Sequence, residues 1–103
     1  MTFVWCEWIC SHCGNLHRAR FNIVVGQRAA YQLRGRLFQK EGVYIEDVAI
    51  AQKEKPSKKL RGGSKIYVLW DTPLEKIVKA MKEYMPQYYA VKEDTLKVEV
   101  CRD

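Results

Sequence analysis

Cys10 and Cys13 are separated by Ser11 and His12 and followed by Gly14. Two intervening residues let both thiolates approach one ion at about 2.3 Å while backbone N–H groups of the turn point at the sulfurs, and the tetrahedral N/S chemistry of such a site suits zinc. Gly14 relieves crowding where the turn often needs a positive φ. Further donors stand at regular distance in the pattern Cys6-x3-Cys10-x2-Cys13-x3-His17, with Cys101 far along the chain. Two other chemistries stay open for Cys10 and Cys13: a disulfide or redox dithiol, and a pair of inert thiols. A lone strand cysteine such as Cys6 is often a small core residue, and His12 at the turn is expected to be exposed.

The segment WICSHCGNLHRARF, residues 8–21, resembles the first half of a zinc ribbon: strand, Cys-x-x-Cys-Gly, strand. It departs from that family in lacking the second Cys-x-x-Cys, so further ligands must come from elsewhere. A hairpin turning at Ser11-His12 pairs Cys10 with Cys13 and sets Cys6 opposite His17, four residues or about 13 Å from the tip. One Cys3His site then requires a strongly bent hairpin. The spacing Cys-x3-Cys-x2-Cys is also similar to that of radical S-adenosylmethionine enzymes, but 103 residues cannot build the large barrel which that chemistry needs. A structural zinc held by Cys6, Cys10, Cys13, His17 and Cys101 in some combination is the expectation.

The elements that would position these residues follow from periodicity. Residues 3–9 are apolar and aromatic, as in a strand, and residues 1–17 form the expected metal-knuckle hairpin. Ala19, Phe21, Ile23 and Val25 alternate with Arg18, Arg20 and Asn22, which marks a half-buried strand. Ala29, Ala30, Leu33, Leu37 and Phe38 recur at helical spacing, weakened by Gly35. Residues 43–51 read as a strand whose alternation shifts phase at Glu46-Asp47, where a bulge is expected. Residues 65–70 form the clearest strand. Thr72, Pro73 and Glu75 predict a capped helix carrying Leu74, Ile77, Val78, Met81, Tyr84 and Met85 inward and ending at Pro86. Leu96, Val98 and Val100 alternate in a last strand.

The order after the knuckle is strand, helix, strand, strand, helix, strand. It resembles the βαββαβ ferredoxin-like fold, an α+β class, which implies an antiparallel sheet with two helices on one face over residues 18–103. Cys101 then lies near residues 17–19 as a further ligand. Trp5, Trp8 and Trp70 are expected to fill the core, and the whole chain, 1–103, is expected to form a single domain.

The net charge of +6 is uneven. From Trp8 to Lys65 there are twelve basic and four acidic residues, a surplus of +8, and no acid falls between Trp8 and Lys40. Such asymmetry suggests a polyanionic partner. Arg18, Arg20, Lys58, Lys59, Arg61, Lys65 and Tyr67 are the candidate contacts, the middle three on a Pro/Gly/Lys-rich loop and the others on the helix-free face. RNA-recognition domains share this topology and use that loop to clamp RNA, but their aromatic sequence signature is not present in RGGSKIYVLW. The basic loop can equally serve only to keep the surface solvated.

No apolar run approaches the roughly 20 residues that span a bilayer, the N-terminus lacks a secretory pattern, and three clustered thiols fit a reducing compartment. A cytoplasmic protein without a membrane partner is therefore expected. Two histidines and scattered carboxylates give no nucleophile and base set, so no enzyme is expected. The expected function is a small zinc-stabilised basic module that binds nucleic acid without sequence preference, regulatory or accessory in role. The alternative is a metal-stabilised domain that binds a protein partner or a second copy.

Overall fold

The computed structural model describes residues 2–26, 38–40, 42–54 and 63–102. Alternation sets the first two strands. Along β1 (Thr2–Ile9), Val4, Cys6 and Trp8 are buried while Phe3, Trp5 and Glu7 are half-buried, and β2 (Leu16–Val25) buries Phe21 on the same side as Val4. Successive strand side chains point to opposite faces, so each strand offers one set to the core and the other to the far face. The remaining strands are β3 (Phe38–Lys40), β4 (Val43–Glu46), β5 (Lys65–Val68) and β6 (Lys97–Arg102), with helices α1 (Val48–Glu54) and α2 (Leu74–Tyr88).

These strands form one six-stranded sheet in the order β3-β4-β5-β2-β1-β6. The sheet is mixed, which corrects the expectation of an antiparallel one: β2 and β5 run parallel, with Ile23 beside Ile66, while every other neighbouring pair is antiparallel. A parallel pair needs a long crossover, and the chain between β2 and β5 supplies it. The N-terminal hairpin is not appended to a separate sheet. β1 lies inside the sheet, between β2 and β6, so β6 pairs with β1 and Cys101 stands opposite Phe3 rather than near residues 17–19.

Two expected elements change. Residues 43–51 are not one strand: β4 ends at Glu46, and Asp47 begins α1 by accepting a hydrogen bond on Oδ1 from the Ile50 N–H at 3.2 Å. A side-chain oxygen at this position satisfies a donor of the first helical turn, which explains the phase shift without a bulge. Phe38, expected at the end of the first helix, begins β3 instead, and the rest of that helix lies outside the described residues.

Helix α2 begins one residue later than its sequence signal suggested, with Pro73 at the cap, and the Thr72–Glu75 box makes no side-chain hydrogen bond. Pro86 does not stop it. The helix runs two residues further, closed by the Tyr89 N–H to the Met85 carbonyl at 2.9 Å, because so near the C-terminus the proline removes a single backbone bond. Ile77, Ala80, Met81, Tyr84 and Met85 bury one side of α2 against Val4, Cys6, Trp8, Phe21, Ile45 and Ile66. Each large apolar side chain contributes about 1.5–3 kcal/mol by leaving water. Of the three tryptophans only Trp8 is in the core. Trp5 lies on the opposite face and Trp70 is 82% exposed in the β5–α2 turn. No described helix is long and apolar enough to cross a membrane.

Candidate metal centre and sheet face

The β1–β2 turn is longer than two residues. Ile9 pairs with Leu16 and Trp8 with His17, and the Cys10 N–H donates to the Asn15 carbonyl at 2.9 Å, leaving Ser11–Gly14 as the loop. Gly14 takes a φ of 75° and returns its N–H to the Cys10 carbonyl at 2.9 Å. A side chain other than glycine is strained at that φ. The loop rests on the segment after α2, through Ser11 N–H to Ala90 carbonyl at 3.0 Å and Lys92 N–H to Ile9 carbonyl at 2.9 Å.

This register moves His17 toward the tip. It shares the face of Trp8 and Cys10, a diagonal neighbour of the latter, so its ring reaches the loop. Cys13 Sγ and His17 Nε2 are 3.2 Å apart, and the ligand atoms of Cys10, Cys13 and His17 all lie within 4.8 Å of one another. Tetrahedral ligands at 2.0–2.3 Å from one ion stand roughly 3.5–3.8 Å apart, so small rotations suffice for these three to hold a metal ion. The backbone N–H groups of Cys13 and His12 aim at the Cys10 sulfur and hold its thiol below its ordinary value of 9.0. Thiolate is the form that binds metal. Trp8 braces the imidazole, its ring stacked on His17 at 5.9 Å and 28°, and Tyr89 meets Trp8 edge-on at 5.2 Å.

The other two expected ligands are elsewhere. Cys6 stands opposite Ala19, not His17, faces the core and is fully buried, and burial pushes its thiol up to about 12. Cys101, opposite Phe3, is seven strand positions or about 23 Å from Cys10. His12 is exposed in the loop, as expected.

On the sheet face that neither described helix covers, Arg18 and Arg20 stand opposite Glu7 and Trp5, and Lys65 and Tyr67 run beside Asn22 and Val24. Four aromatics share this face: Phe3, Trp5, Tyr44 and Tyr67, the last two paired directly. The Arg20 guanidinium lies 3.7 Å over the Phe3 ring, and its Nε donates to Asn22 Oδ1 at 3.1 Å. Trp5 Nε1 donates to Glu7 Oε1 at 2.8 Å, and Glu7 faces Arg18 at 3.6 Å. Lys97 stands opposite Glu7 on the other side. Lys58, Lys59 and Arg61 lie outside the described residues.

Sequence reasoning missed two features. The first is the aromatic character of this face, visible in the alternation of Phe3 and Trp5 against Val4 and Cys6. The second is Asp47, fully buried, which accepts hydrogen bonds on Oδ2 from the hydroxyls of Tyr84, at 2.7 Å, and Tyr89. Burial and the nearby carboxylate push both phenols above their ordinary 10.0. An aspartate directly before helically spaced apolar residues was the available signal.

The chain matches no protein-family model, no curated protein and no solved structure.

Proposed function

We propose that this protein is a zinc-stabilised module that binds single-stranded nucleic acid on the sheet face that neither described helix covers. The observation that carries the proposal is the row of Phe3, Trp5, Tyr44 and Tyr67 beside Arg18, Arg20, Lys65 and Lys97 on one face. Exposed bases stack on aromatic rings with little sequence preference, and guanidinium groups pair with phosphates. Glu7, Glu46 and Glu99 share this face, so aromatic stacking rather than net charge favours single strands over duplex. The topology adds nothing to this reading, because β2 and β5 run parallel and β1 stands between β2 and β6, whereas a ferredoxin-like sheet is antiparallel with four strands.

Zinc is the metal we assign to Cys10, Cys13 and His17, because two thiolates and an imidazole at tetrahedral spacing match its donor preference. Its role is to fix the turn that ends β1 and begins β2, two adjacent strands of the binding face.

Anisotropy of a labelled single-stranded oligonucleotide tests the proposal. Trp5→Leu and Tyr67→Leu should each weaken binding by about 1–3 kcal/mol of stacking, with circular dichroism unchanged. Binding by both variants equal to the parent would rule out the sheet face. In that case the metal-stabilised protein-interaction domain becomes the better account.

A further inference from the structure

The cluster has three ligands and the chain has few others to give. Its Cys and His residues are Cys6, Cys10, Cys13, Cys101, His12 and His17, so no segment outside the described residues holds a further thiol or imidazole. Cys6 faces the core and Cys101 is at the far end of the sheet. The ring nitrogens of His12 are outside the group of ligand atoms within 4.8 Å. Zinc with three protein ligands keeps its fourth position for water or an exogenous group, whereas a closed structural site fills all four.

The open side has a defined shape. Cys10 and His17 border a groove walled by Trp8, His12, Lys53, Tyr88, Tyr89 and Ala90. Aromatic rings make one wall, and Lys53, exposed in the last turn of α1, supplies a cation. Arg18 also borders the groove, but its guanidinium is engaged by Glu7 on the other face. A divalent ion with two thiolates and a neutral imidazole carries no net charge. An anion in the fourth position makes the site negative, and Lys53 offsets that charge.

We propose that the metal held by Cys10, Cys13 and His17 takes a small oxyanion, a carboxylate or a phosphate, in its fourth position, within the groove beside Lys53. This rests on the metal reading above.

Cobalt(II) replaces zinc with visible bands, so the full chain loaded with cobalt separates the two ideas. Thiolate-to-cobalt charge-transfer bands establish the metal site, and their absence sinks both claims. With the bands present, acetate and inorganic phosphate are titrated separately. Saturable change in the d–d bands with acetate supports a carboxylate ligand, and change with phosphate supports a phosphate ligand. Lys53→Ala should weaken the responsive anion by about tenfold, close to 1.4 kcal/mol, while leaving cobalt uptake intact. Bands that move with neither anion overturn the inference while the metal site stands. So do bands that change in His12→Ala before any anion is added, which puts His12 in the fourth position, or one cobalt per two chains, which puts a second copy there.

Discussion

Trp8 and His17 face one another across the first two strands, their rings stacked at 5.9 Å. That pairing decides where the candidate metal ligands meet, because it fixes a four-residue loop and brings His17 within 3.2 Å of Cys13. Replacing His17 by Ala should therefore weaken zinc binding by about tenfold or more, a loss at least as large as that from removing an outer-shell partner. Competition with a chromophoric chelator measures it. Affinity equal to the parent would show that His17 is only a stacked surface ring.

Metal removal should loosen the tip more than the strands. β1 is held on one side by β2 and on the other by β6. Chelation should speed amide exchange at Cys10 and Gly14, whose N–H groups close the loop, and leave Phe21 protected. The melting temperature should fall as well, since a ligand that binds only the folded state stabilises it. Unchanged exchange at both loop amides after verified metal loss would contradict a structural role.

Asp47 ties α1 to α2 through the Tyr84 and Tyr89 hydroxyls. Tyr84→Phe removes one donor from a fully buried carboxylate, which costs about 1–3 kcal/mol. For a domain of this size each kcal/mol corresponds to roughly 4–8 °C in melting temperature. A calorimetric shift under one degree would mean that the hydroxyl contributes nothing to the fold.

Alkaline pH should unfold the protein through the same core. Cys6 is raised from 9.0 to about 12, and Tyr84 and Tyr89 are raised above 10.0. Below those ordinary values both the folded and unfolded chains hold these protons, and stability does not depend on them. Above about pH 9 the unfolded chain releases the Cys6 proton first and then the tyrosine protons, while the folded chain keeps them. Stability then falls as pH rises, by up to about 1.36 kcal/mol per pH unit for each group. Urea midpoints measured from pH 8 to 10.5 should drop, and less steeply in Cys6→Ala. A flat profile in the parent would contradict the buried, protonated thiol.

Much of this was legible in the residues. The Cys-x-x-Cys-Gly turn, the half-buried second strand, the stripe of α2 and the alternation of β6 are local patterns, and the structure keeps them apart from Val25 and Leu74, which were expected inward and are exposed. What escaped depends on long-range choices. Nothing local tells whether the first strand pairs on one side or two, and β1 between β2 and β6 is what carries Cys101 away from the knuckle. The loop length was ambiguous because Ser11-His12 and Ser11–Gly14 both close a hairpin, and the choice moves His17 by two strand positions. Asp47 looked like a strand irregularity because its partners, Tyr84 and Tyr89, are some forty residues away.

The salt dependence of oligonucleotide binding tests the functional claim most directly. Phosphate contacts release counterions, so for a single strand each contact adds about 0.7 to the slope of log affinity against log salt. Alanine at Arg18, Arg20 and Lys65 together should flatten the slope by about 2, while alanine at Lys76, Lys79 and Lys82 on the opposite side, along α2, should change it little. Equal slopes for the parent and the first triple variant, or a parent that does not bind at low salt, would contradict the sheet face as a nucleic-acid surface.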